Sequence, residues 1–207
     1  MEKNILIKNI SFSFKGNRSY IQGPDIFNES LKSIGYLNSC SFFQKDFKKI
    51  NFSIHSFLNK PNANLYKLDN IRHIDKKKII ALFEILTNSL DYYAVIQNPI
   101  SNEEIVRVDY DETKVTNYCM INNHKISVSK VDYSLMETIV SMNKFLLSSI
   151  FNNLKGKWIF TKISLYGEKN FDNFYLEYDS NFKMSLFKTK IFKNNILIGD
   201  LYFNFIK

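Results

Sequence analysis

Residues 134–151 read SLMETIVSMNKFLLSSIF, and the fold turns on what that stretch must do. Ser134 followed three residues later by Glu137 is a capping box, each side chain answering a free backbone N–H at a helix start, with Asp132 reinforcing it upstream. Leu135, Met136, Ile139, Val140, Met142, Phe145, Leu146, Leu147, Ile150 and Phe151 then cover well over one helical face. A helix apolar almost all round is buried on most of its sides. The spacing predicts this helix over about 133–151, with Lys155-Gly156-Lys157 ending it.

On the far side of that helix the period changes from 3.6 to two. Strands are expected at 157–166, 171–179, 182–193 and 195–206, the last two long, alternating and joined by a tight Asn194-Asn195 turn. Before the helix, a hairpin is expected from 115–121 and 124–130 around Asn122-Asn123, residues that tolerate positive φ.

The first half of the chain follows a similar plan. Alternating apolar residues from Ile5 to Phe14 predict a strand over 4–14 with a bulge near Lys8 and Asn9. Gly23-Pro24 opens a short helix, because proline suits the first helical position, and Asp25 and Glu29 complement its positive end. Ile26, Leu31 and Ile34 should face inward, with Gly35 available as a stop. Strands are expected at 50–58 and 63–69, flanking Asn59-Lys60-Pro61-Asn62. Asp75 should cap a helix to about Asn88, with Ile79, Leu82, Phe83 and Leu86 as its apolar stripe. Strands at 92–97 and 104–110 follow, separated by Asn98-Pro99. Strands segregated from helices mean α+β, with a pattern that runs once from residue 4 and again from about 113. The expected halves are residues 1–112 and 113–207, packed as one globular unit.

The 207 residues carry 28 basic and 20 acidic side chains, a net charge of +8. Only Arg18, Arg72 and Arg107 are arginines, and arginine is the residue that grips phosphates and guanine edges with a bidentate fork. Lysine, asparagine, isoleucine, phenylalanine and tyrosine share A/T-rich codons, so genome composition accounts for the bias. The run Asp75-Lys76-Lys77-Lys78 reads as a solvated face, and a nucleic-acid partner is disfavoured. Cys40, Cys119, His55, His73 and His124 are scattered, so no metal site is expected, and free thiols suit a reducing cytoplasm. No signal-peptide core and no apolar run of membrane-spanning length is present. Phosphate-binding glycine loops and the Gly-x-Ser-x-Gly elbow are also missing. A cytoplasmic location is the expectation.

The arrangement resembles the hotdog fold, an antiparallel sheet wrapping a long central helix, and at about 100 residues per unit it resembles a double hotdog. The stretches from Lys157-Trp158-Ile159-Phe160 to Ile198-Gly199-Asp200-Leu201-Tyr202-Phe203 are similar to the last strands of that superfamily. Arg18-Ser19-Tyr20-Ile21-Gln22-Gly23-Pro24-Asp25-Ile26-Phe27-Asn28 resembles the loop leading into the hotdog helix, where many thioesterases carry aspartate, glycine, histidine and asparagine. Here the run has no histidine and its aspartate follows the glycine. The resemblance implies an enzyme acting on acyl thioesters of coenzyme A or acyl carrier protein by hydrolysis, acyl transfer, dehydration or decarboxylation. The missing histidine counts against a dehydratase of the usual His plus Asp/Glu type. Coenzyme A or phosphopantetheine would be the substrate's carrier, with no separate cofactor, and a homodimer is compatible with the resemblance. Two other readings stay open: a binding module without catalysis, and a lysine-mediated binder of nucleic acid or an anionic surface.

Candidate site residues follow from position. Asp25 lies in the first turn of a helix whose N–H groups can face an oxyanion, or it simply complements the dipole. Glu137, near the start of the most buried helix, is a candidate base as well as a cap, and some hotdog thioesterases place a glutamate on that helix. Tyr20, a third catalytic candidate, could hydrogen-bond a thioester or pack as a loop aromatic. Arg18, Gln22, Gly23 and Asn28 are candidates for substrate binding, Arg18 toward a carboxylate or phosphates.

Overall fold

The computed structural model describes residues 4–38, 43–69, 76–97, 105–130 and 133–207. The expected helix cap Asp75, the turn Asn98-Pro99, Asp132, Cys40, Arg72 and His73 lie outside those residues.

The strand expected at 4–14 divides in two. Strand β1 (Ile5–Ser11) carries the expected bulge, its register against its neighbour slipping between Leu6 and Lys8, and β2 (Phe14–Lys15) is separate. Helix α1 (Gly23–Ser33) buries Ile26, Phe27 and Leu31 and ends at Gly35, whose φ of +72° is readily reached only without a Cβ. Strands β3 (Lys49–Ile54) and β4 (Asn62–Leu68) follow as expected.

The helix expected at 75–88 is a strand. A single 3₁₀ turn (Lys76–Lys78) leads into β5 (Ile79–Leu86), in which Ala81, Phe83 and Ile85 point inward and are fully buried. Eight nearly continuous apolar residues satisfy both the helical stripe and the strand alternation, and only the partners decide between them. Those partners are β3 on one side, with Phe83 opposite Phe52, and β6 (Leu90–Gln97) on the other, with Phe83 opposite Tyr93. Phe83 sits 4.6 Å from the Phe52 ring and 5.8 Å from that of Phe27. Phe83→Ala is expected to lower the unfolding free energy by about 3–5 kcal/mol, whereas Leu86→Ala should cost less than about 1 kcal/mol. A common helical stripe would make the two similar, so urea midpoints of the pair test the strand directly.

The strand expected at 104–110 shrinks to β7 (Arg107–Val108), which pairs in parallel with β2. The start of the expected 115–121 strand is instead a short helix, α2 (Thr113–Thr116). Strands β8 (Cys119–Asn122) and β9 (Lys125–Val128) then form the hairpin, with Asn123 at a φ of +54°. Helix α3 (Leu135–Ile150) carries both bonds of its capping box. Strands β10 (Lys157–Leu165), β11 (Phe174–Phe182), β12 (Leu186–Lys193) and β13 (Ile196–Ile206) complete the chain. Asn194 and Asn195 take φ of +50° and +63°, as a tight hairpin turn demands.

Eleven of these strands form one antiparallel sheet in the order β1-β4-β6-β5-β3-β10-β13-β12-β11-β9-β8. Strands preceding residue 112 occupy one side and those following it the other, joined where Ile50 to Ser53 of β3 lie against Leu165 to Lys162 of β10. Each side supplies one main helix, α1 of 11 residues and α3 of 16, and the two pack on each other. One hydrophobic cluster runs through both sides, from Phe27, Phe52 and Phe83 to Phe187 and Phe203. The architecture is α+β, with a large antiparallel sheet and few helices. Among the described residues no helix is long and apolar enough to cross a membrane.

Candidate active site

The seam between α1 and α3 is polar where the two helices start. Asn28 of α1, buried rather than solvent-facing, donates through Nδ2 to Ser134 Oγ at 2.8 Å. Ser134 Oγ in turn donates to Glu137 Oε2 at 2.5 Å and accepts from the Glu137 N–H at 3.3 Å. The other oxygen of Glu137, Oε1, accepts from Lys15 Nζ. Lys15 also donates to Asp25 Oδ1 at 2.5 Å, so one ammonium lies between two carboxylates from different helices.

That trio carries one surplus negative charge when all three groups are ionised. Burial drives Asp25 up from its ordinary value of 3.8 to about 6, outweighing the attraction of Lys15, and Glu137 and Glu29 push in the same direction as burial. Asp25 Oδ2 is buried and finds no hydrogen-bond partner among the described residues. Burial alone would lower the Lys15 pKa, but the two carboxylates together raise it above 10.5. Asp25 is therefore the group whose charge state changes near neutrality, while the ammonium persists.

Tyr110 links the trio to the start of α1. Lys15 Nζ and the Arg18 guanidinium each lie 5.1 Å from its ring centroid, and its hydroxyl is 3.2 Å from Ser141 Oγ. Burial holds the Tyr110 phenol well above its ordinary pKa of 10, so it stays a neutral donor. Beyond it, Arg18 donates to Glu112 Oε1 at 2.6 Å, and Lys144 of α3 reaches both oxygens of Glu112 at 2.8 Å. The Gln22 amide, turned with its oxygen toward Arg18, accepts from Arg18 Nε at 3.3 Å.

A cleft of about 60 Å³ opens beside this network, lined by Arg18, Tyr20, Gln22 and Gly23 together with Glu112, Lys144 and Phe160. Its size suits a few waters or a small polar group. Two cations share the single carboxylate of Glu112 there, which leaves the wall net positive. Gln22 precedes the helix in an extended conformation and makes no side-chain cap. Its carbonyl accepts from both Asp25 N–H at 3.1 Å and Ile26 N–H at 3.2 Å. Pro24 has no N–H, so the first-turn amide left to face a ligand is that of Gly23. A Cβ on Gly23 would meet Ile54 Cδ1 at 2.5 Å and Phe160 Cδ1 at 2.6 Å. Gly23→Ala is therefore expected to cost about 1–3 kcal/mol in a denaturant titration, as both side chains shift.

The candidate residues thus fall into two adjoining groups. Arg18, Tyr20, Gln22 and Gly23 line the cleft. Asp25, Glu137 and Asn28 belong to the buried cluster next to it, where Asp25 and Glu137 share Lys15. Tyr20 also packs on Phe57, with ring centroids 4.9 Å apart. Lys15, Tyr110, Glu112 and Lys144 escaped the sequence reading. Lys15 follows the apolar strand residues Phe12 and Phe14, and no local pattern marks its burial. Among the described residues no group of His, Cys, Asp and Glu converges as metal ligands would.

No protein-family model matches the chain, and no curated protein sequence does. Its backbone is similar to that of a putative thioesterase II from Thermobifida fusca YX, at a TM-score of 0.51 and 6% identity over 100% of this chain and 96% of that one. An acyl-ACP thioesterase from Bacteroides thetaiotaomicron VPI-5482 matches at a TM-score of 0.47 and 8% identity, covering 96% and 97%. A conserved protein with a hot dog fold from Alicyclobacillus acidocaldarius matches at 0.46 and 8%, covering 92% and 89%. At such identities the likeness is one of fold alone.

Proposed function

We propose that the chain is a double hotdog, residues 1–112 and 113–207, that binds an acyl thioester at the start of α1 and acts on it through Asp25. The observation that carries this reading is a buried carboxylate, raised to about 6 and with one oxygen unpartnered, whose chain neighbours Pro24 and Ile26 line a cationic cleft at a helix start. The Gly23 N–H and the Tyr20 hydroxyl face the thioester carbonyl and stabilise the oxyanion as it forms. The oxygen of the attacking water or hydroxyl bonds to the carbonyl carbon while Asp25 accepts its proton; the carbon–sulfur bond then breaks, and the departing thiolate takes that proton to leave as the thiol. Proton uptake by Asp25 leaves Lys15 balanced by Glu137, so the cluster becomes neutral rather than more charged. Arg18 and Lys144 meet the phosphates of coenzyme A or phosphopantetheine.

A second reading, a thioester-binding module without turnover, is favoured by one specific observation: Asp25 and Glu137 are both tied to Lys15 and neither lines the cleft. Incubation with a panel of acyl-CoA and acyl-carrier thioesters, followed by thiol release, tests the enzyme. Turnover of any member supports it. A thermal shift with coenzyme A but no turnover selects the module, and neither signal overturns both.

A further inference from the structure

The tip of the β11–β12 hairpin is built unlike the β12–β13 turn beside it. Lys183 and Met184 both take positive φ, +49° and +53°, and the Ser185 N–H closes the turn on the Phe182 carbonyl at 3.1 Å. Side chains with a Cβ pay a steric penalty in that region, which is why Asn and Gly dominate such turns. The neighbouring β12–β13 turn follows the rule, with Asn194 and Asn195. At the β11–β12 tip the favoured residues are replaced by a lysine and a methionine, and a strained position held by unfavoured side chains points to a role for those side chains. The turn is also held firmly. Met184 N–H donates to Asn181 Oδ1 at 3.2 Å, and the Phe205 N–H of β13 donates to the Ser185 carbonyl at 2.9 Å.

What the tip displays is apolar and cationic. Phe182, Met184 and Leu186 are 63%, 44% and 37% exposed, and Ile206 on adjacent β13 is 49% exposed. Lys155, Lys157, Lys183 and Lys207 surround them at the same end of β10–β13, exposed and without an ion-pair partner among the described residues. Every acidic residue on these four strands is already neutralised: Glu177 by Lys125, Asp179 by Lys190 and Asp200 by Lys188. An apolar point ringed by unpaired lysines complements a surface that is negative outside and apolar beneath.

We propose that this tip docks on an anionic lipid bilayer, with Phe182, Met184 and Leu186 entering the interface and the lysines meeting the headgroups. Co-sedimentation of the full chain with phosphatidylcholine vesicles, with and without phosphatidylserine, tests it. Partition is expected to rise about tenfold or more with phosphatidylserine. Lys183→Asn/Met184→Gly restores an ordinary turn and is expected to raise the melting temperature while lowering that partition about tenfold. Phe182→Ser should lower partition without any gain in melting temperature. Equal binding to both vesicles, or variants that bind as the wild type does, overturns the proposal. So does tip-dependent dimerisation without lipid, which would assign the surface to a second copy of the chain, or tip-dependent binding to polyglutamate with none to vesicles, which would assign it to an acidic protein.

Discussion

Lys15→Met is expected to lower the unfolding free energy by about 3–5 kcal/mol near pH 7, because it strands two carboxylates in a buried seam. Lys15 is the ammonium that both Asp25 and Glu137 touch, and its side chain is only 13% exposed. The effect should depend on pH in a fixed direction. Asp25 titrates at about 6 in the folded chain against an ordinary 3.8, so its contribution is full below the ordinary value and is lost as pH rises through 6. Lys15 is shifted upward as well, so what it contributes persists below 10.5 and is lost only above that. Removing Lys15 takes away the attraction that restrains Asp25 and pushes the carboxylate higher still. The variant should therefore approach wild-type stability at about pH 4 and fall furthest behind it at about pH 7 and above. Urea midpoints across that range measure this, and a constant difference would refute the coupling. Lys15→Met/Asp25→Asn/Glu137→Gln, which removes all three charges, should recover most of the loss.

Asp25→Asn is expected to reduce thioester turnover by about 10²–10⁴-fold with the fold intact, since the amide keeps the shape but accepts no proton. The wild-type rate should climb with pH and level off above about 6, where Asp25 is ionised. Glu137 raises Asp25 by repulsion, so Glu137→Gln should move the midpoint of that profile to lower pH. The same substitution weakens the α3 cap, and a stability measurement alone would not separate the two roles; the shifted midpoint does. Full rate in both Asp25→Asn and Glu137→Gln would remove the carboxylates from the mechanism.

Much of this molecule was legible locally. The α3 cap, the Gly23-Pro24 helix start, the Asn194-Asn195 turn and the C-terminal meander all depend on residues within a few positions of one another. Their signals survive without knowledge of the rest of the chain. The stretch Ile79–Leu86 was not legible. Its apolar run fits either period, and the choice fell to β3 and β6, which come from 25 to 30 residues upstream and from just beyond it. The site divided similarly. Arg18, Tyr20, Gln22 and Gly23 are close neighbours in sequence and line one cleft. Asp25 and Glu137 lie on different helices, far apart in sequence, and share Lys15 of β2 only because α1 and α3 pack on each other.

By itself, then, the sequence determined an α+β chain, the start of α1, the capped span of α3, and the turns of its last strands. Those properties follow from side-chain period, capping and turn chemistry, all short-range. Only the tertiary structure decided that Asp25 and Glu137 share one ammonium, that Asn28 is buried against Ser134, and that Tyr110 lies between Lys15 and Arg18. Burial and charge pairing set the chemistry of a carboxylate, and both are made by residues distant in the chain. The surplus of lysines likewise said little until the fold showed which were paired and which were left around an apolar tip.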